Sequence, residues 1–139
     1  MAATIKAAAP GQQAYTTAGT YSFTVPAGVT SLSMVTVGGG SGSFNGAGRT
    51  GGCLSYANNV VVAGGDVLEV IVGAASSTFY VDAGFSSVKR ANLSVVCKAS
   101  GGGPSGTANV GDVSFVGGST GPQSGYAGGG GGGGAAGYS

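Results

Sequence analysis

The sequence has no histidine and no tryptophan, and it has few charged residues. Five basic and four acidic side chains among 139 residues give a net charge of +1. Binding to nucleic acid or to an anionic membrane surface needs clustered Lys and Arg, and here only Lys89 and Arg90 are adjacent. The apolar runs are also far shorter than the ~20 residues of a membrane-spanning helix. We therefore expect neither nucleic-acid binding nor insertion into a membrane.

The missing histidine also removes most routes to catalysis. General acid–base chemistry and the known catalytic triads need a histidine or paired carboxylates. Asp66 and Glu69 are three residues apart in a strand-like run, which places them on opposite faces. We therefore predict that the chain is not an enzyme and binds no cofactor.

One glycine pattern, at residues 46–51, matches the G-x-G-x-x-G fingerprint of dinucleotide-binding proteins. That fingerprint requires a helix directly after the glycines to bind the pyrophosphate. The residues that follow here, from Cys53 onward, have a strand pattern. In a chain with 32 glycines, we interpret the match as chance.

Cysteine is limited to Cys53 and Cys97. Two thiols without histidine cannot supply the four ligands of a structural zinc site, so no metal site is predicted. Both lie in strand-like runs, where either a disulfide between neighbouring strands or two separate buried thiols would fit. The N-terminal residues lack the apolar region of about 7–15 residues found in secretory signals, so synthesis in the cytoplasm favours the thiols.

Glycine dominates what is present, in tracts that separate short strand-like runs. Alternating apolar residues and turn signals favour an all-β fold, an antiparallel β-sandwich of jelly-roll type with long glycine-rich loops. The domain assignment is an extended N-terminal anchoring segment at 1–19, a sandwich body at 20–100 and a glycine-rich tail at 101–139. The predicted strands are residues 14–17, 20–25, 31–37, 53–62, 67–72, 78–81, 86–90, 93–98 and 113–116.

Three finer expectations concern the strands. Apolar residues on both faces of 31–37, including Val35 and Val37, predict a central strand. The runs 53–62 and 67–72, joined by a short connection, predict a hairpin. The first of these runs is expected to bend near Asn58 and Asn59.

The glycine tracts themselves have two interpretations. They could be flexible linkers, or extended chains packed side by side at distances that only glycine permits, as at the collagen axis. Tracts flanked by strands on both sides favour order, whereas both interpretations stay open for 128–134.

The block at residues 11–40, which ends in VPAGVTSLSMVTVGGG, resembles the glycine-rich domain of bacteriophage tail-fibre and other virion proteins. The resemblance continues at 54–59, 65–73 and 84–88. Typical members of that family have more glycine where this chain has residues 41–46 and 74–83, and this departure weakens the packed arrangement of the glycine tracts. It implies a β-sandwich that displays glycine-rich loops, in an oligomer on the particle surface, with no shared catalytic residues.

The expected function is that of a non-enzymatic virion structural protein, synthesised in the host cytoplasm and exposed on the particle as part of a tail fibre or host-recognition apparatus. The alternatives are a capsid-surface decoration protein (cement or head fibre) and a cell-surface or ice-binding glycine-rich protein. Expected partners are other virion proteins, further copies of the chain, with a trimer favoured, and a host receptor.

Aromatic and polar residues on a glycine-rich background are typical of adaptable binding loops, although ordinary loop residues have the same composition. The contact candidates are Phe44, Asn45, Arg49, Tyr126 and Tyr138.

Overall fold

The computed structural model describes residues 11–42, 50–78, 81–103 and 108–118, and these residues form strands and loops. No helix in these ranges is long and apolar enough to cross a membrane. The strands are β1 Gly19–Thr24, β2 Ser31–Val37, β3 Leu54–Val61, β4 Val67–Val72, β5 Ser86–Arg90, β6 Val95–Ala99 and β7 Val113–Phe115.

The strands form two antiparallel sheets. The larger has the order β1-β4-β5-β6 and the smaller the order β2-β3-β7. Strands β2 and β3 face β5 and β6 across the interior. The prediction of an all-β protein is confirmed, and the two facing sheets are consistent with a sandwich.

Alternation along the chain positions most of these strands. Tyr21 and Phe23 of β1 point inward, while Ser22 and Thr24 are exposed, as the period of two requires. The predicted strands 31–37, 67–72 and 86–90 coincide with β2, β4 and β5.

The strand predicted at 14–17 is wrong. This segment has no ladder partner among the described residues. Side chains hold it instead: the Tyr15 and Tyr21 rings pack with centroids 4.9 Å apart, and Tyr21 Oη donates a hydrogen bond to the Thr17 carbonyl at 2.8 Å.

The strand predicted at 78–81 is not present at the positions that can be described. Residues 79–80 lie outside the described ranges, and neither flanking residue belongs to a strand. The Val81 N–H donates to the Thr78 carbonyl at 3.4 Å, which is the bond of a turn.

The predicted hairpin of β3 and β4 is also wrong, because the two strands belong to different sheets. The connection between them crosses the end of the sandwich and bonds to the loop after β1. The Val25 N–H donates to the Asp66 carbonyl and the Gly65 N–H to the Val25 carbonyl, both at 2.8 Å. Gly65 has a φ of +93°, which glycine adopts without steric cost.

The central position predicted for residues 31–37 is wrong as well, because β2 is at an edge of the smaller sheet among the described strands. Its side chains Val35 and Val37 lie on the outer face and are 64% and 46% exposed. The inward neighbour between them is Thr36, which is buried. Apolar residues on both faces therefore do not place this strand in the centre.

The predicted bend near Asn58 and Asn59 is confirmed as a β-bulge. Leu32 pairs with Val60 and Met34 with Ala57, so that two residues of β3 oppose one of β2. Asn59 has a φ of +52°, a left-handed conformation that asparagine tolerates better than most residues.

Residues 101–118, which the sequence analysis assigns to the tail, contribute to the sandwich. Strand β7 pairs with β3 through Phe115 opposite Leu54 and Val113 opposite Tyr56. The described part of the tail therefore completes the smaller sheet.

The apolar core lies towards the end of the sandwich where the turns are short. Its buried members are Val25, Val62, Leu68 and Val88, against which partly buried apolar side chains pack. We call this the apolar end. The opposite end is built differently and contains the candidate site.

Candidate functional site

The end opposite the apolar core consists of extended glycine-containing segments that continue the strands beyond the two sheets. We call this region the glycine-rich end. Its segments are residues 38–42, 50–53, 73–76, 82–84, 100–103 and 117–118.

Backbone hydrogen bonds join these segments in several directions. The segment 38–42 bonds to four of the others, whereas a strand within a sheet has at most two neighbours. Its bonds are Gly38 N–H to the Cys53 carbonyl (2.9 Å), Gly39 N–H to the Gly84 carbonyl (2.9 Å), Gly102 N–H to the Gly39 carbonyl (2.8 Å) and Ser76 N–H to the Gly40 carbonyl (3.1 Å). The arrangement is a bundle of chains and not a flat sheet.

Glycine is required here because the backbones approach closely. A Cβ atom at Gly38 would overlap the Ser100 carbonyl, and one at Gly52 would overlap the Gly38 carbonyl. Neither residue has a positive φ. Space and not dihedral freedom therefore fixes these glycines, as at the collagen axis.

The lower glycine content of 74–83 does not prevent this packing. Ala74 is exposed, and its carbonyl accepts a hydrogen bond from the Gly84 N–H at 2.8 Å. Only positions that face a neighbouring backbone need glycine, so mixed sequences still fit. The tract 128–134 lies outside the described residues.

Small side chains fill the interior at this end. Ser55, Ser87 and Ala99 are fully buried. Ser55 Oγ and Ser114 Oγ are 2.8 Å apart and share a hydrogen bond. The interior here is held together by polar contacts and backbone bonds more than by apolar area.

The two cysteines lie in this interior as free, buried thiols. Cys97 Sγ is 3.4 Å from Thr36 Oγ1 and 3.5 Å from the Ser55 carbonyl oxygen. Cys53 Sγ lies 3.3 Å from Ser100 Oγ. Each thiol thus contacts a separate set of polar groups.

The surroundings of the two thiols shift their pKa values in opposite directions. Burial raises the pKa of Cys97 and outweighs the hydrogen bond from Thr36, with the Asp112 carboxylate adding to the increase. Burial also acts to raise the pKa of Cys53, but hydrogen bonds from Ser100, the Gly117 N–H and Asn109 lower it below the ordinary value. Both thiols are shielded from solvent.

The contact candidates Phe44, Asn45, Arg49, Tyr126 and Tyr138 all lie outside the described residues. The residues that flank them belong to the glycine-rich end. Ser41 Oγ donates to the Thr50 carbonyl at 2.9 Å, which joins the two sides of the stretch 43–49. The Gly51 N–H donates to the Gly118 carbonyl at 3.1 Å, at the point where the chain continues towards the two tyrosines.

Two polar residues that the sequence analysis did not single out hold this region together. Thr50 Oγ1 accepts a hydrogen bond from the Gly103 N–H at 2.7 Å. Asn109 Oδ1 accepts from the Ser100 N–H at 2.8 Å and lies 2.9 Å from Ser100 Oγ. In the sequence, both positions are marked only by a hydroxyl or amide residue near glycines. Such residues are too common in loops to single these two out.

The described residues offer no group of three or more His, Cys, Asp or Glu side chains that could hold a metal ion. The glycine-rich end can present backbone N–H and C=O groups, because its segments are held together by hydrogen bonds to one another.

No family model matches the chain, and no curated protein or solved structure matches it either.

Proposed function

We propose that the chain is a non-enzymatic structural protein of a bacteriophage particle, exposed on its surface as part of a tail fibre or host-recognition apparatus. The observation that carries this proposal is the glycine-rich end. This end contains the residues on both sides of the stretch 43–49, which holds three of the contact candidates, and it contains Gly118, the last described residue before the other two.

The glycine-rich end suits a recognition role because the backbone bonds that hold it together are distinct from the side chains that would contact a receptor. Its segments bond to one another through the backbone, so the support does not depend on side chains in the stretches between them. Loops on a firm scaffold tolerate sequence change and carry binding residues. The candidates Phe44, Asn45 and Arg49 belong to such a stretch, between Gly42 and Thr50.

The resemblance of residues 11–40 to the glycine-rich domain of virion proteins supports the same assignment. On this proposal the chain has jelly-roll-like connectivity, assembles as a trimer with other virion proteins, and contacts a host receptor through the glycine-rich end. Residues 1–19 anchor it, and neither cofactor nor nucleic acid is involved.

Labelling of intact particles tests the location. Antibodies raised against the purified chain and coupled to gold should decorate the tail in electron micrographs. Gold on the head would replace the tail-fibre assignment by capsid decoration, and unlabelled particles would contradict both.

Competition with particle adsorption tests recognition. The purified chain should reduce adsorption of the phage to its host, and Phe44→Ala or Arg49→Ala should weaken that competition at least tenfold. Val61→Ala is the matched control, because Val61 is an exposed residue near the apolar end and should compete like the unchanged chain. Equal competition by all three variants would exclude the stretch 43–49 from recognition.

A further inference from the structure

The two sheets differ in strand number, and this leaves an open groove between them. Strands β2 and β3 cover β5 and β6, and among the described residues no strand of the smaller sheet lies over β1 and β4 to a comparable extent. The resulting groove has a volume of about 680 Å³. Partly buried apolar side chains dominate its floor and one wall, namely Phe23, Val70, Leu32 and Met34.

The opposite wall of the groove is residues 11–16. This segment contacts β1 through the Tyr15 and Tyr21 rings and makes no backbone hydrogen bond to β2. None of the described residues that line the groove is charged.

The edge of β2 that borders the groove has backbone groups that pair with none of the described residues. The Gly38 N–H donates to the Cys53 carbonyl, and residues alternate along an antiparallel ladder. Val35 and Val37 therefore turn their N–H and C=O groups away from β3, towards the groove. No backbone partner for these groups is present within the described ranges.

A second sandwich cannot pair with this edge. Strands β4 and β1 extend beneath the position beside β2. A copy that joined β2 edge to edge, with its smaller sheet in the same plane, would bring its own β1 and β4 into the same space. The position beside β2 is therefore suited to a single extended strand and not to a second sandwich.

We propose that the groove binds an extended, uncharged segment of another protein chain, with apolar residues at alternate positions, as a fourth strand of the smaller sheet. Strand addition of this kind obtains affinity from main-chain hydrogen bonds and specificity from pockets for alternate side chains. A charged side chain facing the floor would lose its hydration without gaining a partner, which is why the segment is uncharged. The inference does not depend on the proposed function, although a neighbouring particle protein would be a suitable source of the strand.

The test uses the purified full chain and a synthetic probe, the capped peptide acetyl-Ser-Val-Thr-Val-Ser-Val-Thr-Val-Ser-amide. In an NMR titration the peptide should bind saturably and shift the signals of Val70 and Phe23. At saturation the amide protons of Val35 and Val37 should exchange with solvent at least tenfold more slowly. The same peptide with N-methyl groups on alternate residues cannot form the ladder and should bind at least tenfold more weakly.

Substitution at the edge gives an independent readout. Val35→Pro removes an outward N–H that β3 does not use, and proline is tolerated at strand edges. The variant should bind the peptide at least tenfold more weakly, whereas Val61→Thr, on the exposed surface of β3, should bind as the unchanged chain does. If Val35→Pro does not fold, the N-methylated peptide still decides the question.

Two results would overturn the inference. One is the absence of saturable binding at millimolar peptide. The other is slow exchange at Val35 and Val37 before peptide is added, because the chain's own residues would then already occupy the edge. Neither result bears on particle labelling, so this test and that of the proposed function fail separately.

Discussion

The two ends of the sandwich achieve close packing by opposite means. At the apolar end, Val25 and Leu68 are 1% and 3% exposed and fill the interior with side chains. At the glycine-rich end, Gly38 and Gly52 leave no room for even a Cβ atom, and backbone meets backbone. One fold therefore combines stabilisation by apolar burial with stabilisation by hydrogen bonds among main chains.

The loops differ in the same way. The apolar end is closed by tight turns, with the Val29 N–H bonded to the Pro26 carbonyl at 3.2 Å and the Leu93 N–H bonded to the Arg90 carbonyl at 2.9 Å. At the glycine-rich end, extended segments continue the strands beyond the sheets and bond to one another through the backbone. The comparison indicates that short turns close the end with the apolar core, whereas extended glycine-containing segments form the other end. Four substitutions or conditions test it, in order of decreasing effect.

The largest effect is expected from removing side-chain volume at the apolar end. Leu68→Ala should lower the free energy of unfolding by about 3 kcal/mol, through lost apolar burial and the cavity that remains. Urea denaturation measures this change. Val61→Ala, at an exposed position on β3, should change stability by less than about 0.5 kcal/mol; a similar loss in both variants would contradict the assignment of the core.

Adding volume at the glycine-rich end should also destabilise the protein. Gly38→Ala should cost about 2 kcal/mol, because the new Cβ overlaps the Ser100 carbonyl and the backbone must move. Gly40→Ala is the matched control, since a Cβ there meets nothing within 4 Å, and it should lie within about 0.5 kcal/mol of the unchanged chain. Equal stability of the two variants would show that close approach does not hold this end together.

A smaller effect of opposite sign is expected at Ser87. Its Oγ is buried and has no hydrogen-bond partner among the described residues. Ser87→Ala should therefore stabilise the protein by about 1 kcal/mol. Ser55→Ala should instead destabilise it by about 1 kcal/mol, because Ser55 Oγ bonds to Ser114 Oγ. Urea denaturation measures both changes, and stability changes of the same sign in the two variants would contradict this difference in hydrogen bonding.

The smallest effect concerns the dependence of stability on pH. Burial raises the pKa of the Cys97 thiol above the ordinary value of 9.0, so the unfolded chain loses this proton at lower pH than the folded chain does. The stabilising contribution is present in full below the unfolded value and is lost as the pH rises through the folded one. Cys97→Ala should show a shallower decline in unfolding free energy above pH 9.0.

Cys53 provides the opposite sign for the same measurement. Its lowered pKa means that its contribution is present above the unfolded value and is lost as the pH falls through the folded one. Cys53→Ala should therefore change the profile below the window affected by Cys97. Identical dependence of unfolding free energy on pH in the two alanine variants would contradict the opposite pKa shifts of the thiols.

Much of the strand pattern could be predicted from the sequence because it depends on neighbouring residues. Alternation in β1 and β4 and the bulge at Asn58 and Asn59 follow from local side-chain periodicity and backbone preference. The separation of β3 from β4 could not be predicted in this way. A short connection permits either a hairpin or a crossing between sheets, and the choice depends on bonds to Val25, far away in the sequence.

The position of β2 shows the same limit. Val35 and Val37 suggested burial, but burial requires a second layer, and none of the described residues forms one over that face. The contact candidates, such as Phe44 and Arg49, follow from local composition alone. The structure describes only the residues that support the ends of their segment.

By itself the sequence determined the class of fold, the scarcity of charge and the placement of glycine between strands, because composition and period-two alternation act locally. The tertiary structure alone decided which glycines are indispensable, which strand lies at an edge and where the two thiols lie. Each of these depends on the distance between backbones that are remote along the chain. At Gly38 that distance excludes a single methyl group.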